Sequence, residues 1–139
     1  MSRSRRDLLL AAVVAALTSG APSTIWAVAR REDMLAGARA AGALLVPDER
    51  RTGPLLLAAV PVHLGLSIGW AAVLGKVLPH RAEPAWGALG GLVIAALDLG
   101  LVGRRVPAIR ALPQGRQWAD HVAYGVTIGV VLQRRRRRR

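Results

Sequence analysis

The chain has 139 residues, of which 53% are hydrophobic, and its formal net charge is +12. One small soluble core would not enclose so much apolar side chain, and phenylalanine, a common bulky core residue, is absent. Lipid solvates apolar segments while charge collects in loops and tails, so the composition indicates a membrane protein and argues against a soluble globule.

Four apolar stretches predict an all-α transmembrane four-helix bundle, with residues 1–139 forming a single domain. The stretches cover 8–29, 54–78, 85–103 and 118–132. The first three reach roughly 28–37 Å as helices, enough for a hydrocarbon core of about 30 Å. The fourth reaches only roughly 22 Å. We expect Arg134 and Arg135 to complete it with their aliphatic stems.

The start of the chain allows two interpretations. The sequence Ser4-Arg5-Arg6-Asp7 ahead of an apolar run resembles a twin-arginine export signal, with Ser19-Gly20-Ala21 as a cleavage region. Further apolar stretches follow instead of a soluble domain. A retained first helix is therefore the favoured interpretation, and a cleaved signal is the alternative.

The segment 30–53 is predicted to be a polar, interfacial loop. Its central piece, Met34–Val46, is rich in Ala and Leu but carries Arg39. Such a piece is too short to span a bilayer. It predicts a short interfacial helix between the first two spans.

The basic tail 133–139 predicts contact with anionic lipid headgroups, above all through Arg134, Arg135 and Arg136. Nucleic acid is a less favoured partner, since the chain lacks a recognisable binding module and aromatic platforms. Translocation of so many arginines against a membrane potential is unfavourable, so both termini are predicted to be cytoplasmic.

Paired segments suggest an internal duplication. Ala15–Gly20 in the first span is similar to Ala95–Gly100 in the third, and Gly65–Gly69 in the second is similar to Gly125–Gly129 in the fourth. Two copies of one helical hairpin would produce this pattern. Coincidence within an alphabet of Ala, Gly, Leu and Val explains it equally well.

Glycines at a spacing of four predict close helix packing, because they let a neighbouring backbone approach. The predicted packing residues are Gly65, Gly69, Gly87, Gly91, Gly125 and Gly129. Formation of a homo-oligomer through one of these faces is an alternative use of the same pattern.

Asp98 is the most informative polar residue, because a carboxylate at bilayer depth must be protonated or paired. One interpretation is a proton or cation step in a translocation path, and the other is a structural hydrogen bond to an adjacent helix. His63, His121 and Thr18 complete the candidate intramembrane polar site. The two histidines also allow a weaker hypothesis, axial ligation of a haem.

No catalytic, metal-binding or cofactor motif is recognisable, so the sequence predicts a protein that is not an enzyme and carries no cofactor. The leading hypothesis is a structural, accessory or interaction role in the membrane. The alternative is a small transporter or channel subunit that uses Asp98 and His63 in the bundle interior.

The region from Trp86 to Leu132 contains an Asp in the third span, an Arg-Arg and Pro connection, and Asp-His ahead of Tyr-Gly. In these features it resembles small uncharacterised membrane proteins of high-GC, actinobacterial-type bacteria. The resemblance implies a multi-pass protein of a bacterial plasma membrane and assigns no residue roles.

Overall fold

The computed structural model describes residues 3–138, and every regular element in that range is helical. Seven α-helices follow one another along the chain: α1 Arg5–Thr18, α2 Ala21–Arg30, α3 Ala36–Gly42, α4 Thr52–Val77, α5 Glu83–Leu97, α6 Pro107–Arg110 and α7 Gln114–Arg137. A π-helical turn, Asp98–Val102, and a 3₁₀ turn, Gly103–Arg105, extend α5.

Three helical segments are long and apolar enough to cross a membrane: Arg5–Arg30, Thr52–Val77 and Glu83–Arg105. They correspond to the first three predicted spans, and the all-helical fold is confirmed. The fourth predicted span lies within α7, which at 24 residues would reach about 36 Å. This helix is not one of the three segments.

The first span is broken into α1 and α2 at Ser19-Gly20. Pro22 follows in the first turn of α2, where its missing N–H is tolerated, whereas the same residue inside a continuous helix would remove one backbone hydrogen bond. The sequence alone predicts one continuous helix over 8–29. The break leaves backbone N–H and C=O groups without helical partners in the middle of an apolar segment. These groups need hydrogen-bond partners from elsewhere in the chain.

The predicted interfacial piece contains a short helix, α3, which packs on the start of α4. A Cβ added to Gly42 would lie 2.0 Å from the Leu55 carbonyl oxygen, so the two backbones are in direct contact. The position of α3 relative to a membrane surface stays a prediction.

Helices α5 and α7 cross at a contact made by glycines. A Cβ on Gly125 would lie 1.9 Å from the Gly87 carbonyl oxygen, and one on Gly91 would lie 2.3 Å from the His121 carbonyl oxygen. Gly129 is equally close to the Glu83 carbonyl oxygen, at 2.3 Å. Gly87, Gly91, Gly125 and Gly129 thus lie where the two backbones are in direct contact.

Gly65 and Gly69 differ from the other four glycines. A Cβ added to either would meet nothing within 4 Å, and both residues are exposed on α4. Within residues 3–138 no other helix covers their face. Their use in a contact between two copies stays a prediction.

The duplication hypothesis has mixed support. The two similar segments Ala15–Gly20 and Ala95–Gly100 both contain the end of a regular α-helix, at Thr18 and at Leu97. The two glycine pairs of the even-numbered spans have different surroundings, one exposed and one enclosed. Duplication therefore stays a hypothesis.

The two ends of the described chain meet at the start of α5. Arg3 donates to the Glu83 carboxylate at 2.7 Å, and Nη2 of Arg136 lies 3.7 Å from its other oxygen. Arg135 donates to Asp7 at 2.8 Å. These contacts place the beginning of α1 and the end of α7 at the same end of the helical body.

Candidate functional site

A cavity of about 1010 Å³ lies between the helices. Its wall includes the α1–α2 break, α3, the middle of α4, the end of α5 and the first half of α7. The rise from Asp98 to Arg105 is about 10 Å, as is the rise from Gln114 to His121. Asp98 and His121 therefore both lie about two helical turns below the same end of the bundle.

Asp98 lines this cavity at the first residue of the π-helical turn. Such turns widen the helix by one residue and are frequent at functional sites. Its Oδ2 accepts a hydrogen bond from Trp70 Nε1 at 3.0 Å and lies 3.5 Å from Nε2 of His121. The Asp98 side chain retains 20% of its exposure, so the carboxylate is in contact with the cavity and is not enclosed by protein.

The hydrogen bonds of His121 define its protonation chemistry. Nδ1 lies 2.7 Å from the Gln117 carbonyl oxygen, and a carbonyl only accepts, so Nδ1 carries a hydrogen. Nε2 is left to face Asp98. A single proton then serves both groups, either as an imidazolium beside a carboxylate or as a neutral imidazole beside a carboxylic acid.

His63 lines the same cavity from α4. Its Nε2 donates to the Ala16 carbonyl oxygen at 2.8 Å, close to the end of α1. Tyr124 closes the inner end of the cavity, where its hydroxyl donates to the Ser67 carbonyl oxygen. The His63 contact supplies a partner to a carbonyl next to the break after α1, whereas the Tyr124 contact supplies an acceptor to a buried hydroxyl.

Asp120 provides a partner for the broken first span. Its Oδ1 accepts the Ser23 backbone N–H at 2.9 Å, and Ser23 lies in the first turn of α2. The first N–H groups of a helix have no partner inside that helix, and a carboxylate is favoured there by the helix dipole. Asp120 therefore caps α2 from a different helix.

Ion pairs lie at the rim of the cavity. Arg116 donates to Glu32, and this hydrogen bond is the main reason that the pKa of Glu32 is lowered. The guanidinium groups of Arg116 and Arg30 also lie 5.3 Å and 4.9 Å from the centre of the Trp26 ring. The contacts join the end of α2 to the start of α7.

Three of the four residues predicted to form an intramembrane polar site come together here. Asp98, His63 and His121 all line the cavity. Thr18 does not: its hydroxyl is exposed and donates to the Val14 carbonyl oxygen one turn earlier in α1. A threonine that satisfies its hydroxyl on its own helix needs no second helix.

The arginines that were predicted to contact lipid headgroups have different neighbours. Arg135 and Arg136 have carboxylate neighbours within the protein, whereas Arg134 is exposed. The tail is a continuation of α7 as far as Arg137, and Arg139 lies outside the described residues. Headgroup contact stays a prediction.

Sequence reasoning did not assign Trp70, Asp120 and Tyr124 to the site. Trp70 lies well inside the second span, away from the interface where tryptophan is usual. This unusual position is the sequence feature that could have identified it as part of the site. Asp120 is adjacent to His121 in the sequence. Nothing in the sequence identifies Ser23 as the partner of Asp120 or Ser67 as the partner of Tyr124, because those contacts depend on how the helices are arranged.

No group of three or more His, Cys, Asp or Glu side chains that could hold a metal ion occurs within residues 3–138. For a haem, the geometry is unfavourable: Nε2 of His63 bonds to Ala16 and Nε2 of His121 faces Asp98. Comparisons with family models, with curated proteins and with solved structures gave no significant match to this chain.

Proposed function

We propose that this protein is a small transporter or channel subunit of a bacterial plasma membrane, and that its cavity contains one exchangeable proton on Asp98 and His121. The observation that carries the proposal is the 3.5 Å approach of these two side chains at a cavity wall. A carboxylate with a purely structural role needs no access to a cavity, whereas Asp98 keeps 20% of its side chain exposed at the cavity wall. A structural or accessory role, which the composition alone favoured, leaves the cavity without a use.

The proposal includes an arrangement in the membrane. Four crossings, with α7 as the fourth, agree with the contacts that bring Arg3 and Arg136 to one carboxylate. The exposed arginines at that end would then face the cytoplasm and anionic headgroups. They are Arg5, Arg6, Arg81, Arg134, Arg136, Arg137 and Arg138.

Proton flux into liposomes tests the proposal. The purified protein is reconstituted with an internal pH dye, and a potassium gradient with valinomycin supplies the driving force. We expect wild type to carry protons and Asp98→Asn to lower the rate at least tenfold, because asparagine cannot ionise. Thr18→Ala is the matched control, since Thr18 is polar but outside the cavity, and its rate should equal that of wild type.

Equal rates for wild type and Asp98→Asn, or no flux from either, would contradict the proposal. Thermal unfolding of each variant in detergent separates loss of flux from loss of fold. If Asp98→Asn unfolds, His121→Gln removes the second half of the pair and is compared with Thr18→Ala in the same way. Absence of a Soret band in the purified protein would remove the haem hypothesis.

A further inference from the structure

The charges on the cavity wall determine which kind of ligand can enter. Arg116 is paired with Glu32, and Asp33 is paired with Arg39, so these groups largely compensate one another. Asp120 faces the positive end of the α2 dipole. Among the residues that the structure describes at this wall, no arginine or lysine lacks a carboxylate partner, so the lining is unfavourable for an anion.

The Asp98–His121 pair is the position where a positive charge can be exchanged. With one proton the pair is neutral, and without it the pair has a charge of −1. A monovalent cation beside Asp98 then restores neutrality. The charge of the site is the same before and after the exchange, which avoids the cost of an uncompensated charge in a low-dielectric region.

The cavity is much larger than an inorganic ion requires. Its volume, about 1010 Å³, lies at the upper limit of the range typical of pockets for small organic molecules. Much of the wall is apolar, and it includes Leu56, Val60, Leu99, Val102, Ile109 and Leu112. A strongly hydrated ion would lose its water there without enough oxygen ligands to replace it.

Aromatic side chains flank the carboxylate. Trp70 donates a hydrogen bond to Asp98 directly, and Tyr124, three residues after His121 in α7, lines the same cavity. Organic cations bind favourably where a carboxylate and aromatic rings occur together, because both attract positive charge and the rings also accept apolar contact.

From these observations we propose that the cavity binds a monovalent, amphiphilic organic cation in exchange for the proton of the Asp98–His121 pair. The inference deepens the proposed transport function and rests on it for its physiological meaning. On binding, the proton that Nε2 of His121 and the Asp98 carboxyl share passes to solvent through the cavity. The cation takes its place beside Asp98, and no covalent bond forms or breaks.

Several other ionisable groups face the cavity and would influence the exchange. From α7 they are Arg116, Asp120 and Tyr124, from α4 His63, and from the loop before α3 Asp33. All five have hydrogen-bond partners within the protein. The pair Asp98–His121 differs from them because a carboxylate oxygen faces an imidazole nitrogen, so that one proton can reside on either partner.

Calorimetric titration with tetraphenylphosphonium tests the inference on the full chain in detergent. This probe has a permanent charge, so any dependence on pH belongs to the protein. We expect binding to wild type with release of a proton, which is counted by repeating the titration in buffers of different ionisation enthalpy. Asp98→Asn should lower the affinity at least tenfold and abolish proton release, whereas Thr18→Ala should change neither.

Tetraphenylborate, which has the same shape and the opposite charge, is the matched probe. Equal binding of the two probes, or equal binding of tetraphenylphosphonium to wild type and to Asp98→Asn, would overturn the inference and indicate an apolar site for lipid. If Asp98→Asn unfolds, His121→Gln takes its place and is expected to bind the cation with reduced proton release. Unchanged proton release from His121→Gln would also overturn it.

The two proposals fail separately. Proton flux in liposomes without any binding of tetraphenylphosphonium keeps the transport function and removes the organic cation. Binding of tetraphenylphosphonium with proton release, but without flux, keeps the ligand and removes transport.

Discussion

Glu83 is a carboxylate with no exposed surface, at the start of α5. Arg3 donates to Oε1, and no group in the described chain makes a hydrogen bond to Oε2, although Arg136 lies 3.7 Å away. Arg3 also donates to the carbonyl oxygens of Gly75 and Leu78 at the end of α4. The Arg3 guanidinium thus balances the charge of a buried carboxylate and donates hydrogen bonds to two carbonyl oxygens at the end of α4.

Arg3→Ala should therefore lower the free energy of unfolding by about 1.5–3 kcal/mol, the range for hydrogen bonds to charged groups. Thermal unfolding in detergent measures the change. Arg137→Ala removes an arginine that is exposed at the same end of the bundle and serves as the control. Equal midpoints for the two variants would show that Arg3 does not stabilise Glu83.

The pair of Glu32 and Arg116 predicts a dependence on pH at the opposite end. The hydrogen bond from Arg116 lowers the pKa of Glu32 below its ordinary value of 4.5. A carboxylate whose pKa is lowered by folding stabilises the contact fully above pH 4.5, and this contribution disappears as the pH falls through the lowered pKa. The link between α2 and α7 should accordingly loosen in acid.

Spin labels on introduced cysteines at Arg31 and Gly115 can report this distance, because the chain contains no cysteine. We expect a narrow distribution at pH 7 that broadens as the pH falls below 4.5 and through the lowered pKa of Glu32, and a broad distribution at neutral and at acid pH for Glu32→Gln. Glu49→Gln is the control, since Glu49 pairs with Arg51 in its own loop and has a pKa of about 2. A distribution that stays narrow in Glu32→Gln would contradict the role of the pair.

At the scale of elements, the α5–α7 crossing depends on the absence of side chains. Gly125→Ala would place a methyl group against the Gly87 carbonyl oxygen, at 1.9 Å, and backbone cannot yield as a flexible side chain can. The helices would have to separate. Overpacking of this kind costs typically about 1–3 kcal/mol, so we expect a clear fall in the unfolding midpoint.

Gly69→Ala is a matched control on α4, where a Cβ meets nothing within 4 Å. Its midpoint should equal that of wild type or exceed it, since alanine favours a helix. A second variant, Gly69→Leu, tests the homo-oligomer prediction: light scattering should show a smaller species than wild type if two copies meet at this face. Equal destabilisation by Gly69→Ala and Gly125→Ala would contradict the difference between the two pairs.

The positions of the long helices could be predicted because apolar stretches of sufficient length have few alternatives in a membrane. The predicted span 54–78 compares with Thr52–Val77, for example. The packing could not be predicted, since Gly65-xxx-Gly69 and Gly125-xxx-Gly129 are the same pattern and only the latter has a backbone opposite it. Pro22 was a local signal for the break after Thr18, whereas the π-helical turn at Asp98 has no comparable signal in the sequence.

The candidate site, like the fold, could be predicted only in part. A carboxylate within an apolar stretch identified Asp98, and the two histidines followed from their depth in the spans. Thr18 had the same kind of support but satisfies its hydroxyl locally. Which polar side chains bond to one another depends on how each helix is rotated about its own axis. No local pattern in the sequence encodes that rotation.

For the whole molecule, the decisive prediction concerns the number of crossings. If α7 crosses the membrane, cysteines introduced at Arg6 and Arg137 should react with an impermeant maleimide from one face, and cysteines at Arg31 and Arg110 from the other. The measurement uses sealed vesicles of known orientation and a permeant reagent as the control for total labelling. Reaction of the Arg110 and Arg137 variants from the same face would show that α7 lies outside the bilayer.

The arrangement of α7 has a consequence for biosynthesis. Asp7 and Arg135 are 128 positions apart, yet α7 packs between the first helix and α5. If α7 is the last of four spans, a nascent chain that has inserted only the first three exposes the Gly87 and Gly91 face of α5 to lipid, and Glu83 lacks its neighbour Arg136. We expect such a chain to remain with the insertion machinery until the last helix arrives and closes the bundle.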